Sequence, residues 1–98
     1  MRQWVPMSRE NALALALEAL AWIVADNAER PRFMDEAGLQ PIDLHHGARD
    51  PAFLEAVLDY LLQQDVRVRA FAMAGGHPPT AVAEARAVLA GPAARHWT

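Results

Sequence analysis

The run Asn11–Ala25, NALALALEALAWIVA, constrains this chain more than any other segment, because its fifteen residues carry a single formal charge, Glu18. Alanine and leucine dominate it, and both are strong helix formers. A helix that is apolar on nearly every side must be covered on nearly every side, by its own domain or by a partner. The run is also shorter than the roughly 20 residues that span a bilayer. Glu10 precedes it and Glu18 divides it, which sets it apart from a signal-peptide core. The segment predicts a central helix in a soluble, cytoplasmic domain with no membrane association.

A chain of 98 residues forms one domain, and its core needs no disulfide or metal to hold it. Cysteine is absent, so disulfides, thiolate metal sites and thiol nucleophiles are ruled out. All nine basic residues are arginines, and 21 residues are alanines. The net charge of −3 opposes non-specific affinity for polyanions.

Proline and glycine punctuate the rest. Ser8 caps the first helix, which runs to Ala25 and breaks at Asp26-Asn27. Pro31 suits a first helical position, giving a short helix Pro31–Ala37 that stops at Gly38. Pro41–His46 forms a third turn of helix, closed by Gly47. Asp50-Pro51 is the best start signal and opens a fourth helix to about Gln64. Asp65 caps a fifth, Val66–Ala74, ending at Gly75-Gly76. Pro78-Pro79 start a sixth, which ends before Gly91-Pro92. The pattern predicts an all-α bundle of five to six helices in one domain, residues 1–98. Its ordered core spans about 8–90, with terminal segments 1–7 and 92–98.

Successive residues turn about 100° around a helix, so the core faces follow from spacing. On the first helix, Leu13, Ala16, Leu17, Leu20, Ile23 and Val24 share one broad face. Leu15 and Trp22 fall on the other side, around Glu18. On the fourth, Phe53, Leu54, Val57, Leu58 and Leu61 form the stripe. Phe71 anchors the fifth helix, Val82, Ala85 and Leu89 the sixth, and Phe33 and Leu39 the second segment. The two long helices are expected to pack together at the centre, with Phe53, Val57, Leu58 and Leu61 facing Leu17 and Leu20.

Few residues suggest chemistry. Ala72, Gly76 and Val82 have the spacing of a helix-turn-helix corner within residues 66–90, although His77 stands where such corners usually hold a small apolar residue. A recognition helix needs Arg, Lys, Asn or Gln toward the bases. The sixth helix offers Thr80, Glu84 and Arg86 among alanines, so a structural corner is the expectation and nucleic-acid binding the alternative. His45 and His46 are adjacent and point about 100° apart, which is poor spacing for one metal ion. Asp35-Glu36 and the Glu55/Asp59 pair belong to polar helix faces. Ser8 is the sole serine and reads as a cap. No catalytic residue, cofactor site or metal site is predicted. The candidate interaction patch is Leu15, Glu18 and Trp22, because tryptophan and leucine off the core face mark contact surfaces. Trp4 and Trp97 are the other tryptophans, and Trp4 with Val5, or the sixth helix, is the alternative cover for that patch.

The ordered series ALALEALAWIVAD, RFMDEAGLQPIDL, DPAFLEAVLDYLLQQD and FAMAGGHPP–AVAEARAVL resembles a family of short bacterial proteins of unknown function, known mainly from alphaproteobacterial genomes. The resemblance runs over about Ala12–Ala90, and DPAFL–LDYLL is its most specific part. The chain departs from the pattern at Asn27, where proline is common, and at Pro31, where an aliphatic residue is common. The resemblance implies an all-helical domain and supplies no activity or catalytic residues. The sequence therefore predicts a non-enzymatic helical module that binds a protein partner or itself, with no nucleic acid, membrane or cofactor.

Overall fold

The computed structural model describes residues 7–95, with side chains through Gly91. Its helices are α1 (Arg9–Ala25), α2 (Glu29–Ala37), α3 (Pro41–Gly47), α4 (Pro51–Leu62), α5 (Asp65–Gly75) and α6 (Thr80–Arg95). No strand occurs among the described residues. No single helix among them is long and apolar enough to cross a membrane.

Caps fix most boundaries. The Ser8 hydroxyl accepts the Asn11 N–H at 3.0 Å and starts α1. The Asp26 carboxylate accepts the N–H groups of Ala28 and Glu29 at 3.0 and 2.7 Å. That cap starts α2 at Glu29, two residues before the position expected from Pro31. Proline is tolerated there because first-turn N–H groups have no intrahelical partner. Asp43 accepts the Gln40 N–H at 2.7 Å ahead of α3, and Asp50 accepts the Ala52 N–H at 3.0 Å ahead of α4. α4 ends at Leu62 rather than Gln64, and Gln64 rather than Asp65 takes the cap position of α5. Asp65 instead pairs with Arg69 one turn on, at 2.8 Å. α6 begins at Thr80, just after the expected Pro78-Pro79. Gly91, at φ 79° and ψ 169°, interrupts it, and helical backbone resumes to Arg95 where a tail was expected. Met7 is also no loose end: it packs against the core, and its N–H donates to Glu84 at 3.2 Å.

α1 and α4 are central, as their length required, and both pack against α6. Ile23, Val57, Leu58, Leu61, Phe71 and Val82 are the largest fully buried side chains. The face that α1 buries differs from the expected one. Ala12, Leu15, Ala16, Ala19, Leu20 and Ile23 point inward, whereas Leu17 is 42% exposed and Leu13 and Val24 are only half-buried. Leu20 therefore joins Val57, Leu58 and Leu61 in the core without Leu17, and Phe53 stays half-buried at the edge. The physical reason is backbone proximity. Alanines at 12, 16 and 19 face inward, and α6 answers with buried Ala81, Ala85 and Leu89. The alanines on both helices let their backbones approach closely, and Leu15, Leu20, Ile23 and Leu89 fill the space around them.

Candidate functional site

The α5–α6 corner is built as its spacing predicts. Ala72 is 1% exposed, Gly76 adopts φ 71°, and Val82 is fully buried. The His77 N–H donates to the Ala72 carbonyl at 2.9 Å and closes the turn. The His77 ring lies so close to the Gly75 backbone that a Cβ there would meet it at 2.8 Å. This ring stacks on Phe71, with centroids 5.6 Å apart, and Phe71 meets Trp22 edge-on at 6.1 Å. His77 Nε2 also reaches Glu18 at 3.2 Å, tying the corner to α1.

These contacts account for the patch predicted at Leu15, Glu18 and Trp22. Leu15 is 4% exposed and belongs to the core, so it offers no contact surface. Trp22 is half-buried against Phe71. Glu18 is open to solvent and paired with His77. The corner that the sequence pattern marked out packs on this stripe through Phe71 and His77. Trp4 and Trp97 lie outside the described residues.

Two shallow grooves flank the Glu18–His77 contact. One, of about 340 Å³, lies between α1 and α6 and includes Met7, Leu15, Ala81 and Glu84. The other, of about 280 Å³, lies between α1 and α5 and is lined by Ala21, Trp22, Phe71, Ala74 and Gly75 beside Glu18. The outer face of α5 adjoins this second groove. Val66 and Met73 stand there, 75% and 84% exposed, with exposed Ala70 and Ala74 on the same side. Spacing held a signal for this face: with Phe71 pointing inward, Val66 and Met73 fall about 140° and 160° away from it.

A polar cluster joins α2, α4 and α5. The Tyr60 hydroxyl donates to Glu29 at 2.7 Å, and Arg67 Nε donates to the same oxygen at 3.1 Å. Arg67 is 5% exposed, lies 3.9 Å over the Tyr60 ring, and donates to the Tyr60 carbonyl at 3.1 Å. Burial, reinforced by the bond to Glu29, pushes the Tyr60 phenol up to about 12. The phenol is thus locked as a hydrogen-bond donor, and the cluster satisfies itself without a ligand. No sequence signal pointed to it, since its members lie 31 and 38 residues apart. Glu55 and Asp59, read as a solvated pair, instead hold Arg86 at 3.0 Å and at close range respectively, fastening α6 to α4. His45 and His46 are exposed on α3. Among the described residues, no three His, Asp or Glu side chains are grouped to hold a metal ion.

A family model described as a protein of unknown function, DUF3572, matches residues 9–92. The chain belongs to this family. The DUF3572 match begins with α1 and runs one residue past the break at Gly91, so it takes in the central helices, the corner and the grooves. No curated protein and no solved structure matches the chain.

Proposed function

We propose that this DUF3572 chain is a non-enzymatic protein-interaction module of the bacterial cytoplasm. Its docking face is the outer side of α5 together with the Trp22 edge of α1. One observation carries the reading: Val66 and Met73, the two most exposed large apolar side chains described, lie two turns apart on one helix. Ala70 and Ala74 complete the stripe, and the groove beside Trp22 and Phe71 extends it. Covering such surface is favourable, and methionine and aromatic residues are enriched in interface centres. The charges on the stripe, Asp65 and Arg69, pair with each other and add no net charge. The corner's resemblance to a helix-turn-helix gives less support to nucleic-acid binding. Arg69 and Arg86 are both engaged by carboxylates, which leaves little to neutralise phosphates.

The test uses Val66→Glu and Met73→Glu. Both positions are solvent-exposed, so each variant is expected to keep wild-type stability within about 0.5 kcal/mol. Each is also expected to lose the protein, a second copy or another chain, that the wild type retains in affinity capture and sedimentation. Retention unchanged in both variants, or a wild type that retains nothing and stays monomeric, contradicts the proposal.

A further inference from the structure

An open groove of about 460 Å³ lies between the C-terminal end of α1 and α3. Half-buried Val24, Leu44 and Ala48 line it together with exposed Pro41, His45 and Arg49. Pro41, Leu44, His45 and Ala48 have the spacing of a single helix face, so α3 presents one coherent wall. The wall combines aliphatic surface with two basic side chains, His45 and Arg49.

The carboxylates at this end of the molecule are turned to the backbone, and none of them lines the groove. Asp26, Asp43 and Asp50 all accept backbone N–H groups at helix starts, at 2.7–3.0 Å. The neighbouring Arg30 is turned inward, donating to the Val24 carbonyl at 2.9 Å. Elsewhere Arg67, Arg69 and Arg86 are paired with acids, while exposed Arg9 and Arg32, like Arg49, form no salt bridge among the described residues. Among the described residues, neither His45 nor Arg49 forms a salt bridge. A chain of net charge −3 thus keeps two basic side chains without acidic partners beside this groove. The guanidinium fork of an arginine matches a carboxylate geometrically.

We propose that this groove binds an acidic, apolar peptide segment of a partner protein. An aliphatic side chain of that segment seats against Leu44 and Ala48, and its carboxylate pairs with Arg49 and His45. The site shares no residue with the α5 face and holds or falls independently of it.

Amide NMR titration of the full chain with three blocked tetrapeptides, ELLE, QLLQ and KLLK, tests the proposal. ELLE is expected to shift the amides of Leu44, His45, Ala48 and Arg49, and to bind more weakly as salt rises. QLLQ and KLLK are expected to leave these amides in place. Arg49→Ala and His45→Ala, both at exposed positions, are expected to weaken ELLE binding about threefold each, as for a solvent-exposed ion pair. No shift with ELLE, shifts confined to other helices, or equal binding of QLLQ or KLLK overturns the proposal. The peptide comparison reads out charge selectivity even if a variant perturbs the fold.

Discussion

Tyr60 is the only tyrosine in the chain, so its titration reports one buried place without interference. Its phenol is expected to ionise near pH 12 in the folded protein, followed by absorbance at 295 nm. The unfolded value is about 10. Between the two, the native state keeps a proton that the unfolded chain has released. Stability from this residue is therefore complete below about pH 10 and is lost as pH rises toward 12, by about 2–3 kcal/mol in all. A phenol that ionises near pH 10 while the protein stays folded would mean that Tyr60 is neither buried nor bonded to Glu29 as described. The α1 leucines offer a second test at this scale. Leu15→Ala is expected to cost about 2–5 kcal/mol because it empties a site in the core. Leu17→Ala is expected to cost under about 1 kcal/mol, because Leu17 is 42% exposed. Chemical denaturation of the pair reads the orientation of α1 directly, and reversed costs would place the helix the other way round.

Among the elements, α3 and α4 meet where Gly47 faces Phe53. A Cβ at Gly47 would lie 2.5 Å from the Phe53 ring, and that ring is itself packed edge-on against Phe33 at 6.1 Å. Gly47→Ala is expected to destabilise by about 1–3 kcal/mol through this overlap. The cost should shrink in a Phe53→Ala background, as a double-mutant cycle would show. Gly47 was legible in the sequence as a helix stop, yet its role is to make room for a ring. The same division runs through the fold. Breaks at Gly38, Gly76 and Gly91, the Ser8 and Asp50 caps, and the stripe of α4 were readable, because they depend on local chemistry. The orientation of α1 was not. Large apolar residues occur all round it, and the alanines that settle the question carry almost no signal of their own. The start of α2 escaped for a related reason: Asp26 caps it from outside, and Pro31 drew attention to a later residue. Of the predicted patch, Trp22 and Glu18 do lie at the corner. Leu15 lies beside them at the floor of the α1–α6 groove but is buried in the core, because its expected direction followed from the wrong face of α1.

At the scale of the whole molecule, small-on-small packing lets α1 be covered by α4 and α6, with the α5–α6 corner over Trp22. Leu17, Ile42 and Leu62 stay partly open on other helices, and the two most exposed large apolar side chains described, Val66 and Met73, lie on α5. An apolar helix that looked too exposed for one small domain is thus largely covered, with Leu17 and the Trp22 edge left at the surface. Site-specific photo-crosslinking in the native cell tests this account most directly. A photoreactive residue is placed at position 73 on the outer face of α5, and separately at position 32 on the exposed side of α2. The account predicts a discrete protein adduct from position 73, with a second copy or another chain, and none from position 32. No adduct from position 73, or the same adducts from both positions, would contradict it.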